Sequence, residues 1–429
     1  MIGIVWLNKP LICIKNRVGG KMKILLVNKF HYNKGGAETY YFTLADALKR
    51  MGHEVLFFSM KHPNNNYCEQ EKYFVTNREY NKKTSLIKKI SAAKSLIYSK
   101  EAYKKISLLL DKEKPDLVIL NNIHRQITTS IIDAIYERKI KIFWVVHDLI
   151  MLCPNYTMLD NSKKICESCS KGNYRDCLKK KCVKNSFIKS FFAMKEAEYI
   201  RKKQIYKKID LFITPSNFYR DKLIEYGFNK NKILHIPNPL SFETKFEVNN
   251  DHDNYLLYFG RLSKEKGIST LIKAMKRIDY KLIILGTGPI EKELKNLVVK
   301  EGLNEKVSLL GFKQGEELKN YIRKSKAVIL PSEWYENGPY SAMEAMALGK
   351  PLIVSNYGGL PELVENGKNG FIFKNINELV NSINKIINLD SNSYDLMCKE
   401  SIKRAKENFD IENYVLNMTD KYIKGRLKN

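Results

Sequence analysis

Short apolar runs alternate with segments of helical period along most of this chain. Lys23–Asn28 (KILLVN) reads as a buried strand, Phe30–Gly36 as a loop closing on Gly35-Gly36, and His53–Ser59 as a second strand. Between them Ala37–Met51 repeats apolar positions at Tyr41, Leu44, Ala45 and Leu48, as a helix stopped by Gly52 does. Further strands fall at Asp116–Leu120, Lys141–Val146, Leu211–Pro215 and Ile233–Ile236, with helices over Ser85–Leu110, Lys189–Lys208 and Asn217–Tyr226. Periodicity is lost in polar Glu243–Asn254, which places a linker there. A second series then begins, with strands Tyr255–Phe259, Lys281–Leu285, Val307–Leu310, Ala327–Leu330, Pro351–Val354 and Phe371–Phe373. Helices Glu291–Glu301, Glu316–Lys324 and Ser341–Leu348 lie between them, with Ile376–Leu389, Tyr394–Asn408 and Ile411–Lys424 after. Repeated β-α alternation builds parallel sheets covered on both faces. The pattern therefore predicts an α/β protein with two doubly wound domains, 22–242 and 243–408, facing across a cleft, and a last helix in 409–429.

Composition narrows the picture. A formal charge of +28 on 429 residues favours anionic partners: phosphorylated small molecules, nucleic acid or a negatively charged membrane face. No apolar run approaches the roughly 20 residues of a membrane-crossing helix. Residues 1–21, with the apolar patch Ile2–Trp6 ahead of the basic residues, read as an extension unlike a secretory signal. The eight cysteines without an export signal fit a reducing cytoplasm. The basic amphipathic stretch Ser85–Leu110 is either a domain helix with a solvated lysine face or a surface resting on anionic lipid. The second reading would make the protein peripheral at the inner membrane face.

Two stretches carry chemistry. In Ile329–Leu363 a strand stops at Pro331, a loop holds Glu336, and Pro339 suits the first position of a helix that carries Glu344. Eight residues of helix would span about 12 Å, the scale of a nucleotide diphosphate. The other stretch is Gly260–Gly267 (GRLSKEKG), where Arg261 and Lys266 converge on a sheet edge just before a helix. Gly286-Thr287-Gly288-Pro289 lacks the third glycine of a dinucleotide fingerprint, since Glu291 stands in its place.

The E-x7-E run, the following A-M-A-x-G-x-P and G-G-x-P-E, and the G-R-L-x-x-x-K-G loop together resemble the signature of the family 4 retaining glycosyltransferases. The resemblance covers most of the chain from Met22 and is most specific between Tyr255 and Phe373. It implies the GT-B fold, two Rossmann-like domains with the C-terminal helix crossing back to the first. It also implies transfer of a sugar from a nucleotide-diphosphate sugar to a hydroxyl, with no cofactor required. By the same resemblance Arg261 and Lys266 hold the donor diphosphate, Glu344 the ribose, Glu336 the sugar ring, and His147 the donor sugar near the reacting carbon. Gly35 and Gly36 line the cleft near the phosphates, and Phe312 and Lys313 belong to the segment whose backbone reads the nucleobase. Gly338, Pro339 and Tyr340 fill a stretch where many members carry a glycine-phenylalanine-glycine triplet, so the donor sugar does not transfer by analogy. Nor does the acceptor transfer by analogy; the basic surface instead leads us to expect a glycan or lipid-linked glycan at the inner membrane face, as in cell-surface polysaccharide biosynthesis.

The segment Cys153-x12-Cys166-x2-Cys169-x7-Cys177-x4-Cys182 is poor in apolar residues. Cys166, Cys169, Cys177 and Cys182 could hold a structural zinc, with Cys153 spare or replacing one of them, or the thiols could be reduced loop cysteines. A basic nucleic-acid-binding protein would account for charge and cysteines but not for acids at a cleft, so no nucleic-acid partner is expected. A nucleotide-sugar epimerase is the rival of like architecture, distinguished by converting a free nucleotide sugar with no acceptor.

Overall fold

The computed structural model describes residues 20–77, 95–170, 172–241, 243–244, 246 and 252–426. Most of the N-terminal extension, the 85–94 part of the basic stretch and much of the linker lie outside them. In chain order the strands and α-helices are β1 (Lys23–Val27), α1 (Gly36–Arg50), β2 (Glu54–Phe58), α2 (Lys100–Glu113), β3 (Leu117–Leu120), α3 (Ser130–Glu137) and β4 (Lys141–Val145). Next come α4 (Arg175–Lys179), α5 (Phe187–Lys202), β5 (Leu211–Thr214), α6 (Asn217–Glu225) and β6 (Ile233–His235). The second series is β7 (Tyr255–Phe259), α7 (Ile268–Ala274), β8 (Lys281–Leu285), α8 (Glu291–Lys300), β9 (Val307–Leu309), α9 (Gly315–Lys324) and β10 (Ala327–Leu330). It ends with α10 (Tyr340–Ala347), β11 (Leu352–Ser355), β12 (Gly370–Phe373), α11 (Ile376–Ile387), α12 (Ser391–Asn408) and α13 (Ile411–Arg426).

The strands form two six-stranded sheets, ordered β2-β1-β3-β4-β5-β6 and β12-β11-β10-β7-β8-β9. The predicted α/β class with two doubly wound sheets is what the chain adopts. Two predicted helices are interrupted: within Ser85–Leu110 the chain is extended at Ser99, whose side chain caps α2, and α5 stops at Lys202, where Gln204 turns left-handed at φ +51° and Ile205–Lys208 forms a separate 3-10 turn. In the second sheet alternate residues feed opposite cores. Leu256 and Tyr258 pack on one side, and Tyr255, Leu257 and Phe259 on the other. That double burial explains why the strands read as unbroken apolar runs.

By internal contacts the chain divides into two compact units, residues 1–145, 203–212 and 411–429, and residues 146–202 and 213–410. The first contains β1–β4 and α13, where the Tyr40 and Tyr414 hydroxyls hydrogen-bond at 2.6 Å. The second contains the whole second sheet together with the cysteine-rich segment and α6. Among the described residues no helix is long and apolar enough to cross a membrane.

Candidate functional site

The order of the second sheet locates its crevice. From β7 the chain moves outward through β8 and β9, then returns to add β10, β11 and β12 on the other side. The switch point lies between β7 and β10, where ligands bind beyond the carboxyl ends of open α/β sheets. The loops leaving these two neighbours carry the two predicted stretches. Lys266 follows β7, Glu336 follows β10, and Lys266 Nζ stands 2.6 Å from Glu336 Oε1.

Backbone geometry forces this meeting. Gly267 sits at φ +66°, and a Cβ there would lie 1.8 Å from the Pro331 carbonyl oxygen, so only glycine lets the β7 loop close on the end of β10. Glu336 is buried, with a side chain 6% exposed, and also accepts a 2.6 Å hydrogen bond from Ser332 Oγ. Burial opposes its charge, but Lys266 and Ser332 outweigh it and hold the carboxyl below the usual carboxylate range. Ser332 is fixed in turn by Ser355 Oγ, which donates to its carbonyl oxygen at 2.6 Å. Beside Ser332 and Ser355 opens a cavity of about 430 Å³, also lined by Lys163, Lys164 and Lys374.

The G-G-x-P-E turn grips the same loop from behind. The Gly359 N–H donates to the Glu336 carbonyl oxygen at 2.7 Å, and Gly358, at φ +64°, leaves only 2.2 Å between that oxygen and an added Cβ. Glu362 of this turn accepts from the Asn217 and Phe218 N–H groups at 2.8 and 2.7 Å, capping α6. Asn337 Nδ2 donates to the Val146 carbonyl oxygen at 2.8 Å, and its Oδ1 accepts from Ser216 Oγ at 3.0 Å. The residue preceding His147 is thereby tied to the residue following Glu336. His147 is half-buried, and desolvation lowers its pKa to about 3, so the ring is neutral near pH 7.

The rest of the second stretch is ordered but less enclosed. Pro339 is the N-cap of α10, one position before the helix where the sequence placed it, because its ψ of 130° is extended. Gly338 accepts from Asn238 Nδ2 at 3.1 Å, and Tyr340 Oη donates to the Pro239 carbonyl oxygen at 3.1 Å. Burial pushes the Glu344 carboxyl up to about 7, with Lys319 opposing weakly. Arg261 is exposed at the crevice rim. The loops after β7, β8 and β9 are stitched together: Leu262 N–H donates to Thr287 O at 3.0 Å and Gly286 N–H to Gly311 O at 2.7 Å. The glycine-rich 286–289 turn thus braces the Arg261 loop. Phe312 is exposed, and Lys313 pairs with Glu317 at 2.5 Å.

Gly35 and Gly36 belong to the other unit, exposed at the start of α1, where the Glu38 and Thr39 N–H groups both turn back to the Gly35 carbonyl. Glu38 is buried against Asn28 Nδ2 at 3.1 Å and its pKa is raised by desolvation. Nothing in the local sequence pattern marks Glu38 for burial, which comes from its neighbours in the fold. Asn337, Ser332 and Gly358 were missed as well. The last two had a usable signal, the S-x-x-x-E spacing and the G-G-x-P-E turn.

In the cysteine-rich segment, Cys169 and Cys177 are buried with Val183 and Ala193, and Cys182 packs against them. Among the described residues no group of three or more His, Cys, Asp or Glu is placed to hold a metal ion. The middle of the segment, Cys169 and Cys177 with Val183 and Ala193, packs as a small apolar core. The segment meets the site through another residue. Glu167 accepts from Tyr335 Oη at 2.8 Å and pairs with Lys222 at 2.8 Å, while Tyr335 packs on Phe218 with ring centroids 4.6 Å apart.

The chain is similar in sequence and in fold to known glycosyltransferases. The amylovoran biosynthesis glycosyltransferase AmsK of Erwinia amylovora is 30% identical over 183 residues, 39% of this chain and 45% of that protein. The chain's aligned part spans about half the length of the curated relatives it matches first, 42% to 50%. Among solved structures, sucrose-phosphate synthase from Thermosynechococcus elongatus superposes with a TM-score of 0.70 at 20% identity, covering 95% of this chain and all of that one. Anabaena HepE, solved with UDP-glucose, superposes with a TM-score of 0.63 at 20% identity, covering 94% of this chain and 100% of its own. At such identities the likeness establishes the GT-B fold alone. The model for Glycosyltransferase Family 4 matches residues 34–243 and that for Glycosyl transferases group 1 residues 241–407, and with the two meeting at the join of the sheets the chain belongs to the family 4, group 1 glycosyltransferases.

Proposed function

We propose that the protein transfers a sugar from a nucleotide-diphosphate donor to a hydroxyl of a glycan or lipid-linked glycan, with retention at the anomeric carbon and no catalytic metal. The observation that carries this reading is the Lys266–Glu336 pair at the sheet's switch point. The ammonium has three donors, so it can keep Glu336 while taking a phosphate oxygen. Arg261, exposed at the rim, supplies a planar fork for the same diphosphate. As the bond from the anomeric carbon to the diphosphate breaks, charge grows on the leaving oxygen, where each fixed cation contributes on the order of 3 kcal/mol. The acceptor oxygen bonds to that carbon on the same face, and its proton passes to the leaving phosphate.

Glu336, ionised and buried, accepts from a sugar hydroxyl and opposes the positive charge that develops on the ring. Glu344 takes the ribose hydroxyls, and neutral His147 contacts the sugar near the reacting carbon. A UDP-glucose-bound neighbour of the same fold and a relative named for amylovoran biosynthesis support a nucleotide-sugar donor and a polysaccharide product. The acceptor reading places the protein in the cytoplasm, at the inner membrane face.

A panel of nucleotide sugars tested for thermal stabilisation, followed by release of nucleoside diphosphate, decides the matter. One donor should stabilise the protein and be consumed only when acceptor glycan is added. Conversion of the donor without any acceptor would favour the epimerase. Stabilisation by none, with a salt-sensitive shift of nucleic acid, would sink the transferase.

A further inference from the structure

Downstream of the buried thiols the chain makes a rigid basic knob. Residues 177–195 contain six lysines (179, 180, 181, 184, 189 and 195) and no acid. At its tip, in the first turn of α5, Phe187 and Ile188 are 57% and 67% exposed. Hydrogen bonds hold the knob in shape: Cys182 N–H to Cys177 O at 3.1 Å, Val183 N–H to Ser190 Oγ at 3.0 Å, and Ser190 N–H to Ser186 O at 3.0 Å. Lys181, Lys184 and Lys189 are exposed and make no ion pair among the described residues. Lys179 and Lys195 pair with Asp176 and Glu198, so two adjacent large apolar side chains are presented to solvent in one short segment with three lysines that have no ion-pair partner among the described residues.

We infer that this knob, residues 179–189, docks on an anionic lipid bilayer, with Phe187 and Ile188 entering the acyl boundary and Lys181, Lys184 and Lys189 at the headgroup phosphates. The charge pattern selects this occupant. A second copy of the chain meeting the same face would set lysines against lysines. Nucleic acid would use the lysines but gain little from Ile188, which has no ring to stack on a base. A bilayer with anionic headgroups uses both sets at once. The inference rests on the lipid-linked acceptor proposed above and deepens it. The knob lies in the same compact unit as Lys266 and Glu336, and Glu167 of its cysteine-rich segment bonds to Tyr335, so docking would carry the donor site to the acceptor's surface.

The test is flotation of the full chain with vesicles of phosphatidylcholine, with and without 30 mole per cent phosphatidylglycerol (a conventional value, about 30%, ample for steering by charge). Wild type should float with the anionic vesicles at low salt and dissociate at high salt. Phe187→Ser with Ile188→Ser should weaken partitioning on the order of 100-fold, about tenfold for each apolar group. Lys181→Gln, Lys184→Gln and Lys189→Gln together should weaken it about 100-fold, roughly fivefold for each lysine, and flatten the salt dependence. All these side chains are exposed, so the melting temperature should hold. Thermal stabilisation by the donor should also be unchanged, which separates failure of docking from failure of the transferase reading. Wild type that ignores anionic vesicles, equal binding by wild type and both variants, or a wild-type dimer broken by the Phe187/Ile188 change would each overturn the inference.

Discussion

Lys266 and Glu336 are 70 residues apart in the chain and 2.6 Å apart in the fold, because they leave adjacent strands β7 and β10 on either side of the switch point. Each makes the other affordable in a low-dielectric loop, where an unpaired buried charge is far more costly than a paired one. The pair explains why a basic loop and an acidic loop form one site.

It also separates structure from chemistry. Lys266→Met should destabilise the protein by about 3–5 kcal/mol by stranding a buried carboxylate, and should lower turnover at least about 100-fold. Adding Glu336→Gln should restore most of the stability but none of the turnover. Denaturation and initial rates on the three variants check this. Recovery of both together would mean that the pair is a structural strut only.

Donor affinity should depend on Glu344. Its carboxyl titrates near 7, so at pH 8 it is ionised and ready to accept from ribose hydroxyls. Below pH 7 it is protonated, and donor Kd should rise, approaching tenfold per pH unit if only the ionised form binds. Calorimetric titration from pH 5.5 to 8 measures the slope. Glu344→Gln should remove the pH dependence while keeping weak binding.

Gly358→Ala should be costly for a different reason. The new Cβ meets the Glu336 carbonyl oxygen at 2.2 Å, so the loop must move. Gly302 has a similar φ of +68° but open space around it, and Gly302→Ala should cost only the left-handed strain, about 1 kcal/mol. Turnover should fall in the first variant and hold in the second. Similar melting temperatures and rates for the two would refute the bracing role of the turn.

Acid should weaken the fold from about pH 6.5 downward. His31 and His124 are buried and neutral, with pKa lowered to about 4 and about 3 by desolvation. The unfolded state therefore binds more protons between those values and 6.5, so stability present above pH 6.5 is lost as pH falls, by up to about 1.4 kcal/mol per unit for each ring. Glu344 acts oppositely between 7 and about 4.5, since its native form takes up the proton. Urea midpoints at pH 7.5, 6.5 and 5.5 should decline overall, and more steeply in Glu344→Gln.

Tyr335→Phe should reveal what the cysteine-rich segment does for the site. It removes the hydroxyl bonded to Glu167 while leaving the ring on Phe218. A several-fold fall in kcat with little change in donor Kd is expected, because the next residue is Glu336. Unaltered kcat would detach the segment from the chemistry.

The sequence by itself determined the two parallel sheets, most helix limits and the motif residues, because these depend on local period, glycine and proline positions, and short spacings. Apolar runs such as Lys281–Leu285 leave little choice but burial on both faces. Only the tertiary structure decided which charges neutralise each other, since that depends on strand order, and β10 returning beside β7 is written in no single segment. It also decided that Glu38 and Glu336 are buried, that Gly358 carries the Glu336 loop, and that Cys169 and Cys177 pack with Val183 and Ala193. Burial and pairing are sums over distant neighbours. Charge on a residue can be read from its letter, but what that charge costs depends on what the fold brings to it.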